Sequence, residues 1–162
     1  MAKKGFNQQA KIMIVEDEPV VAKYIKMHLL KNGYNVTAME SKGEDAVRQA
    51  EELLPDLVLM DINLAGAMDG IQAAEKIHAR FNIPLIYLTA FADDEILERC
   101  RITEPFGYLV KPFEPRALLS TIEIALYKHQ LEKQLKESES RFRTLAESAP
   151  VGIFQTDLSG NC

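Results

Sequence analysis

Residues 57–64 read LVLMDINL: four apolar residues in a row run straight into a carboxylate, Asp61, and a loop. A strand of that composition suits the interior of a parallel sheet, where both faces are covered and apolar residues need not alternate with polar ones. Asp61 then stands where the buried strand leaves the sheet. A charge there is costly unless something neutralises it, so the surroundings of this stretch decide both the architecture and the use of the carboxylate.

The same grammar repeats on either side. KIMIV (11–15) is a short apolar run followed by EDEP, in which Asp17 or Glu18 can cap a helix and Pro19 suits its first turn. Val20, Val21, Tyr24, Ile25, Met27, His28 and Leu29 keep helical spacing until Asn32-Gly33 stops it. NVTAM (35–39) predicts a second strand, and Ala46, Val47, Ala50, Leu53 and Leu54 predict a helix over 44–54 that Pro55 ends. Beyond the loop, Asp69-Gly70 opens a helix with Ile71, Ala74, Ile77 and Phe81 on one face. PLIYLT (84–89) and GYLV (107–110) supply the fourth and fifth strands, with a weaker acidic helix over 92–101 between them and a last helix from about Glu114. Such alternation implies right-handed crossovers and an α/β, doubly wound parallel sheet in a three-layer α/β/α sandwich. Met13, Met27, Met39, Met60 and Met68 are expected in or near its core.

In a sheet of this kind, function gathers beyond the carboxyl ends of the strands. The residues just past those ends are Glu16, Asp17, Asp61, Thr89 and Lys111. Taken singly, each has a plain reading: capping carboxylates, a strand threonine, a solvated turn lysine. Together they form an acidic edge that a divalent cation would neutralise. Oxygen ligands in small number suit Mg²⁺ rather than zinc, and His28, His78 and His129 all fall within predicted helices. Asp17 and Asp61 are the expected direct ligands, Glu16 a direct or water-mediated one, and the Asn63 backbone carbonyl a further donor. With a metal bound, a carboxylate can act as nucleophile toward a phosphoryl group. Asp61, fixed by its apolar strand, is the choice, with the Lys111 ammonium and the Thr89 hydroxyl covering the remaining equatorial oxygens. Ala90 is small enough to leave the approach open.

VEDEP, LVLMDINL, YLTAF and YLVKPF, in that order and spacing, resemble the signature segments of response-regulator receiver domains over residues 10–130. The resemblance implies a flavodoxin-like five-stranded sheet of order 2-1-3-4-5 and a phosphohistidine donor on a histidine kinase or histidine phosphotransfer protein. It also implies a cis Lys111-Pro112 bond and a switch in which Thr89 moves toward the phosphoryl group while Tyr108 rotates inward. One segment departs from the pattern: after Asp61 the loop reads NLAGAMDG, longer than usual and without proline. The resemblance further places Asn63 and Phe91 where receivers vary, near the path of an attacking water.

The stretch IEIALYKHQLEKQLKESESRFRTLAESAP has no breaker before Pro150, which extends the final helix well beyond the sandwich. Alternating steps of four and three place Ile124, Lys128, Leu131, Leu135, Ser138, Phe142, Leu145 and Ala149 on one seam. Two readings fit it: a coiled-coil linker over 131–148 that pairs two chains, or a single solvated helix laced with Glu–Lys pairs. Dimer contacts through this helix and the fourth helix–fifth strand–fifth helix face are expected on the first reading. Residues 149–162 resemble the entry to a PAS sensor domain cut short, so the chain is read as a fragment of a longer signalling protein, for which a hybrid or sensor histidine kinase is a compatible parent.

Composition sets outer bounds. The chain has 162 residues, 47% hydrophobic and 27% charged, with net charge −5, which favours a globular protein without a general nucleic-acid surface. No apolar run approaches a membrane span and the start lacks a secretory pattern. Cys100 and Cys162 read as free thiols in a reducing cytosol. The set of site residues favours a phosphoacceptor signalling module over an enzyme with turnover. A phosphatase of the haloacid-dehalogenase type would carry its nucleophile after the first strand with a second Asp where Asn63 stands, and a flavin carrier would need a Ser/Thr/Gly-rich loop in place of EDEPVV.

Overall fold

The computed structural model describes residues 9–90 and 93–148. The elements run β1 (Lys11–Val15), α1 (Pro19–Lys31), β2 (Asn35–Glu40), α2 (Gly43–Leu53), β3 (Leu57–Asp61), α3 (Gly70–Phe81), β4 (Leu85–Thr89), α4 (Asp94–Arg101), β5 (Gly107–Val110) and α5 (Pro115–Ser148). The sheet is parallel with order β2-β1-β3-β4-β5, the order that the resemblance implies. The chain divides into two compact units, Met1–Lys128 and His129–Cys162, and α5 runs from the first into the second.

Why the central strands are apolar throughout is visible in their pleat. Ile12, Ile14, Leu57, Leu59, Ile86 and Leu88 face one side and pack with Ala22, Ile25 and Leu29 of α1 and Leu118, Ile122, Ala125 and Leu126 of α5. Met13, Val15, Val58, Met60, Leu85 and Tyr87 face the other, against Ala46, Val47 and Ala50 of α2, Ile71, Ala74 and Ile77 of α3, and Cys100 of α4. Alternation survives, but both faces are core. Cutting one of these side chains, Leu59 for example, to alanine should cost about 2–5 kcal/mol. All five residues of β3 are buried, Asp61 among them.

Several local expectations need correction. Glu18 occupies the N-cap of α1, yet neither it nor Asp17 provides a side-chain cap; the Glu18 N–H instead donates to Glu16 Oε1 at 3.1 Å. Met13 and Met60 are core, but Met27 and Met39 are exposed, because the buried face of α1 is set by Ala22, Ile25 and Leu29 and β2 lies at the sheet edge. Leu53 and Leu54 also face solvent, Leu54 in the left-handed conformation (φ 44°) that ends α2 before Pro55. The long loop after Asp61 is held down: Ile62 is buried and Leu64 and Met68 pack against the same core as α2 and α3. The Lys111-Pro112 bond is cis.

Candidate functional site at the carboxyl edge of the sheet

Parallel register delivers the site. β1, β3 and β4 end level with one another, Val15 beside Met60 and Asp61 beside Leu88, so the residues that leave these strands share one edge. Thr89 closes β4, is buried, and its carbonyl accepts the Lys111 N–H at 2.8 Å, which fixes the start of the β5–α5 turn.

Lys111 Nζ is the centre of the arrangement. It lies 2.7 Å from Glu16 Oε2 and donates to Asp61 Oδ2 at 3.1 Å; Glu18 Oε1 stands at 4.0 Å. Asp61 Oδ1 accepts the Asn63 N–H at 3.1 Å. Burial, and next the Asp61 carboxylate beside it, push the Glu16 carboxyl up to about 7, with Lys111 and the Glu18 N–H pulling the other way. For Lys111, burial works against the charge, but the paired Glu16 carboxylate and the hydrogen-bonded Asp61 carboxylate outweigh it and raise the ammonium above the usual lysine range.

Of the residues singled out from sequence, Glu16, Asp61 and Lys111 are brought into direct contact. Asp17 joins Glu16 and Glu18, each offering a carboxylate oxygen within 4.8 Å of the others. Asn63 is placed by its N–H on Asp61. Tyr108 lies on β5, 37% exposed, its ring stacked on Tyr87 with centroids 6.0 Å apart. Phe91 and residues 149–162, expected to open a PAS-like domain, lie outside the described residues.

Does a hard cation fit? Among the described residues, Glu16 Oε2 is the buried side-chain oxygen that receives no hydrogen bond; Lys111 meets its charge without hydrogen-bond geometry. The donors nearby are all oxygens, as Mg²⁺ prefers. The residues present therefore fit the ion.

Three features were not read from sequence. Glu18 belongs to the acidic group rather than capping α1. Gly70 sits where a β-carbon would run into the Asp61 carbonyl, and its N–H donates to the Ile62 carbonyl at 2.9 Å, so α3 starts against the backbone of Asp61 itself. The Asp69-Gly70 dipeptide was the available signal. Asp69, besides capping α3 through the Gln72 N–H, accepts Arg99 of α4 at 2.8 Å. Burial disfavours its charge, but Arg99 and the Gln72 N–H prevail and hold its carboxyl below the usual range.

Comparison with known proteins identifies the family. Residues 12–123 match the family model of the response regulator receiver domain. The transcriptional regulatory protein PdtaR of Mycobacterium tuberculosis is 34% identical over 152 residues, covering 90% of this chain and 73% of PdtaR. The N-terminal domain of a response regulator/sensory box/GGDEF three-domain protein from Carboxydothermus hydrogenoformans superposes with TM-score 0.70 at 36% identity, covering 75% of this chain and 98% of that one. The receiver domain of sensor histidine kinase PA1611 from Pseudomonas aeruginosa, whose crystal structure has magnesium coordinated in the active-site cleft, superposes with TM-score 0.66 at 36% identity, covering 73% and 98%.

Proposed function

From the premise that this chain belongs to the response regulator receiver domains, we propose that Asp61 accepts a phosphoryl group from phosphohistidine on a histidine kinase or histidine phosphotransfer protein. The observation that carries this reading is Lys111 bridging Glu16 and Asp61 at a buried strand edge. An Asp61 carboxylate oxygen attacks phosphorus as the nitrogen–phosphorus bond breaks, and the imidazole leaves with the bonding pair. Asp61 is presented by a rigid strand, so little ordering remains to be done in the transition state. The Lys111 ammonium exchanges its pairing with the carboxylate for pairing with a phosphoryl oxygen. The buried Thr89 hydroxyl supplies a donor to another oxygen. Glu16, Asp17 and Asp61, with the Asn63 carbonyl, would hold Mg²⁺, which when bound neutralises the charge that gathers on the phosphoryl oxygens.

The added charge at Asp61 then biases a second arrangement of Thr89 and Tyr108. In support, Tyr108 is only partly covered, and Val110 on the same strand and Ile102 at the end of α4 are also exposed. Residues 10–130 act as the receiver, 131–148 as a linker helix through which two copies associate, and 149–162 as the start of a PAS-like module; the sensory box named after the receiver in the Carboxydothermus protein supports that order.

Incubation with Mg²⁺ and acetyl phosphate, read by intact-mass spectrometry, tests the assignment. One phosphate should appear and should be lost in Asp61→Asn. An unchanged level in that variant would refute it.

A further inference from the structure

The apolar stripe on the later part of α5 is unused by the phosphoacceptor site. Leu131, Leu135, Phe142 and Leu145 are 47%, 61%, 70% and 68% exposed. With Ser138 between them, they recur at alternating steps of four and three, the spacing of a surface built to meet another helix. Left bare, such a stripe is an unusual amount of contiguous apolar surface for one helix.

The charges around the stripe select its occupant. Over 131–148 the basic residues Lys133, Lys136, Arg141 and Arg143 balance the acidic residues Glu132, Glu137, Glu139 and Glu147. A segment without net charge offers little to a strongly charged partner or to an anionic lipid surface. It suits association with its own kind.

The residues bordering the stripe then select an orientation. Leu135 and Phe142 occupy the first core position of each heptad (a), and Leu131, Ser138 and Leu145 the fourth (d). The positions that follow d are Glu132, Glu139 and Ala146, and those that precede a are Tyr127, Gln134 and Arg141. When two helices run parallel and in register, a residue preceding a on one helix faces the residue five places on in the other. The facing pairs are then Tyr127 with Glu132, Gln134 with Glu139, and Arg141 with Ala146, each occurring twice. No like charges meet. Antiparallel helices centred on the same stripe instead set Glu132 against Glu139 twice, and Gln134 against Arg141 twice. The parallel pair avoids that repulsion. Lys128, the core position before Leu131, would face its own copy and so marks where the two helices part.

We infer that a second copy of this chain covers the stripe, the two helices running parallel and in register from Leu131 through Leu145. This deepens the self-association included in the reading above, but it rests on side-chain spacing and charge and uses nothing of the chemistry at Asp61. The core of the seam is leucine and phenylalanine, interrupted at Ser138, where two small hydroxyl side chains face each other. That interruption keeps the association moderate.

The test is sedimentation equilibrium on the full 162-residue chain, without phosphodonor. A dimer should form by about 100 μM. Leu135→Ser/Leu145→Ser should sediment as a monomer while still taking acetyl phosphate at Asp61, which shows the receiver intact. Orientation is read by Ser138→Cys in a Cys162→Ser background, which should cross-link to a disulfide dimer under mild oxidation, since like positions face each other only in the parallel pair. Gln134→Lys sets a cation against Glu139 in the parallel pair and should tighten the dimer about fivefold, whereas Gln134→Glu should loosen it by a similar factor. In the antiparallel pair Gln134→Lys would meet Arg141 and weaken the dimer. A chain that stays monomeric at about 100 μM, a trimer, a Ser138→Cys variant that fails to cross-link, or a Gln134→Lys variant that dissociates more readily would overturn the inference. A monomer that still accepts phosphate would overturn it alone, and a cross-linked dimer that accepts none would overturn the phosphoacceptor reading alone.

Discussion

Gly70 leaves no room for a side chain above Asp61: the first turn of α3 lies directly on the carbonyl of the residue assigned as phosphoacceptor. Relief would require α3 or the end of β3 to shift. Gly70→Ala should therefore destabilise the receiver by about 1–3 kcal/mol, as overpacking does. It should also slow phosphate uptake in protein that remains folded. Denaturant unfolding and acetyl phosphate labelling of the same sample check both parts.

Lys111 holds two carboxylates with one ammonium. Lys111→Ala should leave Glu16 and Asp61 to repel each other and should cut the rate of phosphate uptake about 10²-fold, the scale for losing one charge-stabilising group. Mg²⁺ should bind at least as tightly, because a competing cation is gone. Stopped-flow labelling and a magnesium titration measure the two effects, and they should move in opposite directions.

Glu16 is raised to about 7 in the folded chain against 4.5 for an ordinary glutamate. Between those values the folded state holds the proton more firmly than the unfolded state, so stability falls as pH rises through that window and is fully retained below it. In metal-free solution, Glu16→Gln should gain stability relative to the parent as pH goes from about 5 to about 8. Parallel thermal melts across that range give the difference curve, and a flat one would contradict the burial of this carboxylate.

Asp69 has two jobs and Arg99 one. The Arg99–Asp69 pair is half exposed and should contribute under about 1 kcal/mol, so Arg99→Ala should be nearly silent in stability. Asp69→Ala removes the cap of α3 as well and should cost about 1 kcal/mol more. Urea midpoints of the two variants should separate accordingly.

Tyr87 and Thr103 share a buried hydrogen bond of 2.8 Å, and the Thr103 hydroxyl also reaches the Cys100 carbonyl at 2.7 Å. Tyr87→Phe leaves Thr103 its second partner and should cost about 1 kcal/mol. Thr103→Val strands the tyrosine hydroxyl and should cost about 2 kcal/mol or more. Guanidinium unfolding of both should give that order.

How far the chain could be read before the structure varies with the physics involved. KIMIV and GYLV are bounded as expected because an apolar run between turn residues has little freedom to be anything but a strand, although β5, at the sheet edge, buries only Leu109. Strand order came from the likeness to receivers, since apolar runs do not say which neighbours they choose. Glu16, Asp61 and Lys111 could be placed at one edge because each ends a strand or follows directly on one. What escaped were relations between elements distant in sequence: Arg99 reaching Asp69, Tyr87 reaching Thr103, and the backbone contact that demands Gly70. Met27 and Met39 were misjudged because an apolar side chain does not record which way its helix or strand is turned.

The fourth helix buries only Cys100 fully and touches α3 through an exposed ion pair. Little free energy opposes its detachment, so its amide hydrogens should trade for deuterium well before those of α2 or α3. A segment so lightly moored beside the phosphoacceptor edge can be redirected by a modest electrostatic nudge, whereas the densely packed helices on either side would resist it.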